Sequence, residues 1–107
     1  MKLDRFTDGH GPRRSYIAPS TLARVLETLG RTPNLPPVLN VAAPTPLGME
    51  ALLKAARAPW QWRPATDGAF QDVTLDCTQL ASLCPIAAPD STAEYMVADW
   101  HKWSTRP

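Results

Sequence analysis

Paired arginines, Arg13 and Arg14, follow a glycine- and proline-containing stretch, Gly9-His10-Gly11-Pro12, and precede Ser20 and Thr21 at the head of a helical pattern. Guanidinium groups in such a setting present forked donors that match phosphate or carboxylate, and a helix start adds free N–H groups. Anion binding is therefore the chemistry this segment points to. Gly9 and Gly11 open something like a phosphate-cradling glycine loop, but Arg14 stands where a third glycine belongs and no strand is read ahead of it, so the stretch is read as a turn.

The other reactive side chains are isolated. His10 and His101 have no second His, Cys or carboxylate at metal-ligand spacing, which reads as two solvent-facing or structural imidazoles. Cys77 and Cys84 stand seven positions apart in a helical stretch, too far for a disulfide, and read as reduced, half-buried thiols in a reducing compartment. Trp60 and Trp62 share strand spacing while Trp100 and Trp103 share helical spacing, which assigns all four to the core. No catalytic residue and no metal ligand is expected among these groups.

Composition narrows the partners. Eleven Lys and Arg balance ten Asp and Glu for a net charge of +1, with the basic residues scattered, so no nucleic-acid partner is expected. Apolar runs end well short of the roughly 20 residues a bilayer span needs, and no apolar leader follows Met1-Lys2-Leu3-Asp4-Arg5. The reading is a cytoplasmic protein with no membrane partner. At 107 residues with 44% hydrophobic content the chain is expected to form a single domain with one small core.

The elements that must position these groups are punctuated by 12 prolines. The segment 1–18 reads as a glycine-rich loop with a short strand. Within 19–58 a helix carries Leu22, Val25, Leu26 and Leu29 on one face, with Ser20 as its cap and Gly30 as its stop. Residues 38–42, Val-Leu-Asn-Val-Ala, read as a buried parallel strand, and 47–56 as a second helix. In 59–107, strand alternation around Trp60 and Trp62 and around Val73 and Leu75 precedes two helices. The first is a short one over 77–83 led by Asp76, and the second is opened by Ser91-Thr92-Ala93-Glu94 with Met96, Val97, Trp100 and Trp103 on one face. The expected fold class is small mixed α/β, with short strands and about four helices, lacking a complete Rossmann sheet.

Taken in order, these pieces resemble the C-terminal, substrate-binding part of an extended short-chain dehydrogenase/reductase, the NAD-dependent epimerase/dehydratase family. That family runs from a glycine loop into an Arg-Asp-Phe/Tyr-Ile-His-Val-x-Asp-Leu-Ala block, and here Asp8-Gly9-His10-Gly11 leads to Arg14-Ser15-Tyr16-Ile17, with Leu22-Ala23 further on. Its next block, a Tyr-Asn-Val-Gly strand and a capped helix, resembles Leu39-Asn40-Val41-Ala42 and the residues 45–56. A third block resembles Asp67-Gly68 and Leu75-Asp76-Cys77-Thr78-Gln79-Leu80, and a closing helix resembles 92–103.

The resemblance implies a small-molecule substrate such as a nucleotide sugar, with Arg14 on its phosphates, Arg63 as a second phosphate-contacting arginine and Tyr16 beside them. Ser15, Ala18, Ser20 and Thr21 depart from the family's pattern. Members bind NAD or NADP through a Gly-x-x-Gly-x-x-Gly loop and use a Tyr-x-x-x-Lys pair; Tyr16 is followed four positions on by Ser20 and Tyr95 by Asp99, and neither motif occurs here. The implied role is a substrate-binding fragment that holds no cofactor alone and joins an NAD-binding half or its own copies. The rival reading is a non-catalytic interaction or oligomerisation module derived from that family.

Overall fold

The computed structural model describes residues 1–105 and is a small mixed α/β structure with four α-helices and two small sheets. Strands β1 (Lys2–Arg5) and β4 (Gln61–Pro64) pair in parallel, Lys2 opposite Gln61 through Arg5 opposite Pro64. The second sheet has the order β3 (Leu47–Gly48), β2 (Arg13–Arg14), β5 (Asp72–Val73), with β2 antiparallel to β3 and parallel to β5. This is the expected class, without a complete Rossmann sheet.

Helix α1 (Pro19–Gly30) begins where Pro19, which has no N–H to leave unbonded, follows the extended Ala18. Its buried stripe is Thr21, Val25 and Leu29, spaced four apart. Val25 and Leu29 pack against Leu80 and Cys84 around α3 (Thr78–Leu83), with Ile17, Leu39 and Val41 at the margin. Leu26, expected inside, is exposed. Ser20 is not the cap of α1 as expected, because its N–H and hydroxyl both go to the Asp99 carboxylate of another helix.

Helix α2 (Met49–Ala55) starts two residues later than expected, since Leu47 and Gly48 pair with β2 as β3. Helix α4 (Ala93–Ser104) is capped by Thr92, whose hydroxyl accepts the Tyr95 N–H at 3.2 Å. Helices α2 and α4 pack together over a second core of Ala18, Ala43 and Met96, with Leu52 and Tyr95 against it. The Asp76 carboxylate accepts the Thr78 N–H and hydroxyl at the start of α3, as the sequence pattern anticipates.

Three expectations need correction. Residues 38–42 form no strand: Val38 is 79% exposed, and prolines at 36, 37, 44 and 46 flank the run with positions that cannot donate to a ladder. The segment 1–18, read as a glycine-rich loop with a short strand, opens on a strand at its very start, β1 (Lys2–Arg5), whose Leu3 is buried although a single apolar position gave no period to detect. The four tryptophans are not core. Trp60 and Trp62 are half-buried, and Trp100 and Trp103 are 56% and 41% exposed. Helix α4 turns Ala93, Met96 and Asp99 inward instead, which brings Asp99 to the start of α1.

The resulting shape is open. The Cα radius of gyration is 15.7 Å, against about 13 Å for a compact domain of this length. Phe70, Val73, Leu75 and Trp100 leave large apolar surface in solvent.

Candidate functional site

The parallel pair β1 and β4 sets up the site. Register places Leu3 opposite Trp62, Asp4 opposite Arg63 and Arg5 opposite Pro64. Leu3 is buried under this pair, while the ends of both strands open onto a groove of about 580 Å³. Its apolar lining is Phe6, Trp62, Pro64 and Ala65, and its polar lining is Arg5, Thr7, Arg63 and Gln71. Arg63 Nε donates to Asp4 Oδ1 at 2.6 Å across the strand pair. The Arg5 guanidinium lies 5.8 Å from the Trp62 ring centroid, a cation–π distance, and Trp60 meets the same indole edge-on at 6.0 Å.

The turn after β1 begins at Phe6 and Thr7, which line the groove. Gly9 adopts φ +84°, a conformation glycine enters without a Cβ penalty, and the Gly9 N–H returns to the Phe6 carbonyl at 2.9 Å. Gln71 also lines the groove, its amide donating to both Asp8 oxygens at 2.9 and 3.0 Å. Asp8 also accepts the His10 N–H and faces Arg13; these contacts, the His10 bond foremost, hold its carboxyl below the usual range. Arg13 Nε in turn donates to Asp72 at 2.5 Å, lowering that carboxyl as well.

Of the three site residues anticipated from the sequence, Arg63 lines the groove. Arg14 does not: its Nη1 donates to the carbonyls of Arg13 and Gln71 at 2.7 Å each, and its Nη2 to that of Phe70 at 3.2 Å. It braces the backbone at Gln71. Tyr16 lies in a different depression, of about 250 Å³, with Leu52, Met96 and Trp100, where burial pushes its phenol above the ordinary tyrosine value. The fold therefore does not gather Arg14, Tyr16 and Arg63 into one lining.

Arg5, Phe6, Trp62 and Gln71 were missed as site residues. The signal that finds them is the pairing of β1 with a strand 59 positions away, which no local pattern carries.

The glycine turn does not fit a dinucleotide pyrophosphate. Its N–H groups are already engaged, Gly9 with Phe6, His10 with Asp8, and Gly11 with Glu50 Oε2 at 2.8 Å. His10 is exposed, 3.8 Å from Glu50, and His101 is exposed beside Trp100. Cys77 is half-buried and Cys84 buried, both as free thiols. Among the described residues no three His, Cys, Asp or Glu side chains gather as a metal site, and no helix is long and apolar enough to cross a membrane.

The fold and groove define a small mixed α/β chain with a cationic, aromatic-lined surface site. No family model, curated protein or solved structure matches it.

Proposed function

We propose that this chain is the substrate-binding portion of an NAD-dependent epimerase/dehydratase-like oxidoreductase, and that the groove at the ends of β1 and β4 takes the substrate. The observation that carries this reading is the groove's lining, which brings together Arg5, Arg63, Phe6 and Trp62, with the Arg5 guanidinium over the Trp62 ring. Forked cations beside π faces suit a phosphorylated small molecule with a planar or apolar part, of which a nucleotide sugar is one. On this reading Arg14 acts one step removed, by fixing the carbonyls of Phe70 and Gln71.

Hydride chemistry, and with it NAD or NADP, belongs to a nucleotide-binding half that supplies the glycine loop and the Tyr-x-x-x-Lys pair. The open shape and the apolar side chains left in solvent favour packing against such a part. Free Cys77 and Cys84 suit the reducing conditions of the cytoplasm, where we place the chain.

The test is calorimetric titration of the purified chain with UDP-glucose. Saturable binding that weakens about tenfold or more in Arg63→Ala supports the reading, since a hydrogen bond to a charged group is worth about 1.5–3 kcal/mol. Binding unchanged by that substitution contradicts it.

A second reading, an interaction or oligomerisation module, is favoured by the exposed Val73 on β5, an edge strand, and the exposed Phe70 and Leu75 on either side of it. Light scattering separates the two. A concentration-dependent dimer lost in Val73→Lys supports the module, and a monomer that binds UDP-glucose excludes it.

A further inference from the structure

The two arginines that line the groove differ in how their charge is met. Arg63 is held by Asp4 across the β1–β4 pair at 2.6 Å, so its charge is largely answered inside the protein. The Arg5 guanidinium has no hydrogen bond and no carboxylate partner among the described residues; its contact is with the indole of Trp62. Its Nη2 also lies 4.0 Å from the position a Cβ on Gly9 would take, so the head group has the Trp62 indole and the turn after β1 as its neighbours.

That seat has a chemical consequence. A cation–π contact seats a guanidinium against a ring while leaving its N–H donors open, and a guanidinium is never deprotonated at ordinary pH. The groove thus holds one positioned, unneutralised cation beside one that is already paired. The acidic side chains nearby are committed elsewhere: Asp8 to Gln71, His10 and Arg13, and Asp4 to Arg63.

We infer that Arg5 is the specificity-determining residue of this groove and selects ligands that carry an additional oxyanion, a carboxylate or a further phosphate. This rests on the groove being the ligand site proposed above. It extends that reading by assigning the charge preference to a residue outside the Arg14, Tyr16 and Arg63 set.

The experiment compares UDP-glucose with UDP-glucuronate, which differs by one carboxylate, and UMP with UDP, which differs by one phosphate, on the full chain at low salt. The wild-type chain binds the more anionic member of at least one pair about tenfold more tightly, the gain from one added charge-assisted contact. In Arg5→Met that ratio falls to about one. Arg5→Lys, which keeps the charge but not the planar fork of donors, retains part of it. Whichever pair responds tells whether carboxylate or phosphate is read.

Equal affinities within both pairs in the wild-type chain, or a preference that survives in Arg5→Met, overturn the role of Arg5 and leave the groove as the site. Failure of all four ligands to bind overturns the groove and this inference together.

Discussion

Asp99 of α4 joins the start of α1 through Ser20, its Oδ2 accepting the Ser20 N–H at 2.8 Å and its Oδ1 the Ser20 hydroxyl at 2.6 Å. The carboxylate is 5% exposed, and Trp103 Nε1 donates to the same hydroxyl at 2.8 Å. A helix start whose own cap residue, Ala18, has no side-chain acceptor is thus completed from a residue 79 positions later.

Asp99→Ala leaves the Ser20 N–H and hydroxyl without this acceptor in a part-buried place. We expect a loss of about 1–3 kcal/mol, read as a lower midpoint in urea, with Asp99→Asn losing less because it keeps one acceptor. An unchanged midpoint in Asp99→Ala contradicts this account of how α1 is held.

Arg14→Met removes three bonds to backbone carbonyls, those of Arg13, Gln71 and Phe70. The expected loss is about 1–3 kcal/mol, accompanied by faster hydrogen exchange at Arg13, whose N–H bonds to the Gln71 carbonyl at 2.7 Å. If Arg14 instead met the ligand directly, the variant would lose binding with exchange unchanged. The two measurements therefore separate bracing from contact.

Acid destabilises the β2–β5 edge. Asp72 is lowered by its bond from Arg13, Asp8 by bonds from His10 and Gln71, and Asp76 by those from Thr78. Unfolding removes these partners and returns the carboxyls to about 3.9, so the unfolded chain binds more protons in the acid range. The stability they contribute is present above that value and is lost as pH falls through the lower folded values. Melting temperature is expected to drop below pH ~4, less steeply in Asp72→Asn and at high salt, since all three groups are exposed. A melting temperature flat to pH ~3 contradicts the assignment.

Arg57 follows α2 with φ +55°, its N–H bonded to Lys54 and the next N–H, of Ala58, to Leu53. That is a left-handed helix ending, where a side chain other than glycine carries a steric cost. Arg57→Gly is expected to raise stability by about 0.5–1 kcal/mol, measured by urea denaturation. A fall in stability runs against this reading of the helix end.

What the sequence disclosed follows the range of the interactions involved. The α1 and α3 patterns and the position of β4 are local, so the spacing of Val25 and Leu29, the Asp76 turn and the Trp60–Trp62 alternation were legible. The α4 start was legible too, but not the face it buries, because a buried Asp99 looks polar until Ser20 is placed beside it. The run at 38–42 has strand composition and no strand neighbour, and its Leu39 and Val41 instead fill the margin of the α1–α3 core.

The site divides in the same way. Arg63 could be singled out from sequence order, whereas Arg5 acquires meaning only when β1 lies beside β4 and sets it over Trp62. Arg14 drew attention as an exposed anion donor, and the fold uses its donors on backbone carbonyls instead.

The most direct measurement of the central claim is the NMR spectrum of the four tryptophan indole N–H groups during titration with UDP-glucose. Trp62 lines the groove and Trp60 touches it edge-on, while Trp100 and Trp103 lie on α4. The account predicts saturable shifts of Trp62, with Trp60 following and the α4 pair still. No shift at Trp62 at saturating ligand, or shifts confined to Trp100 beside Tyr16, would contradict it.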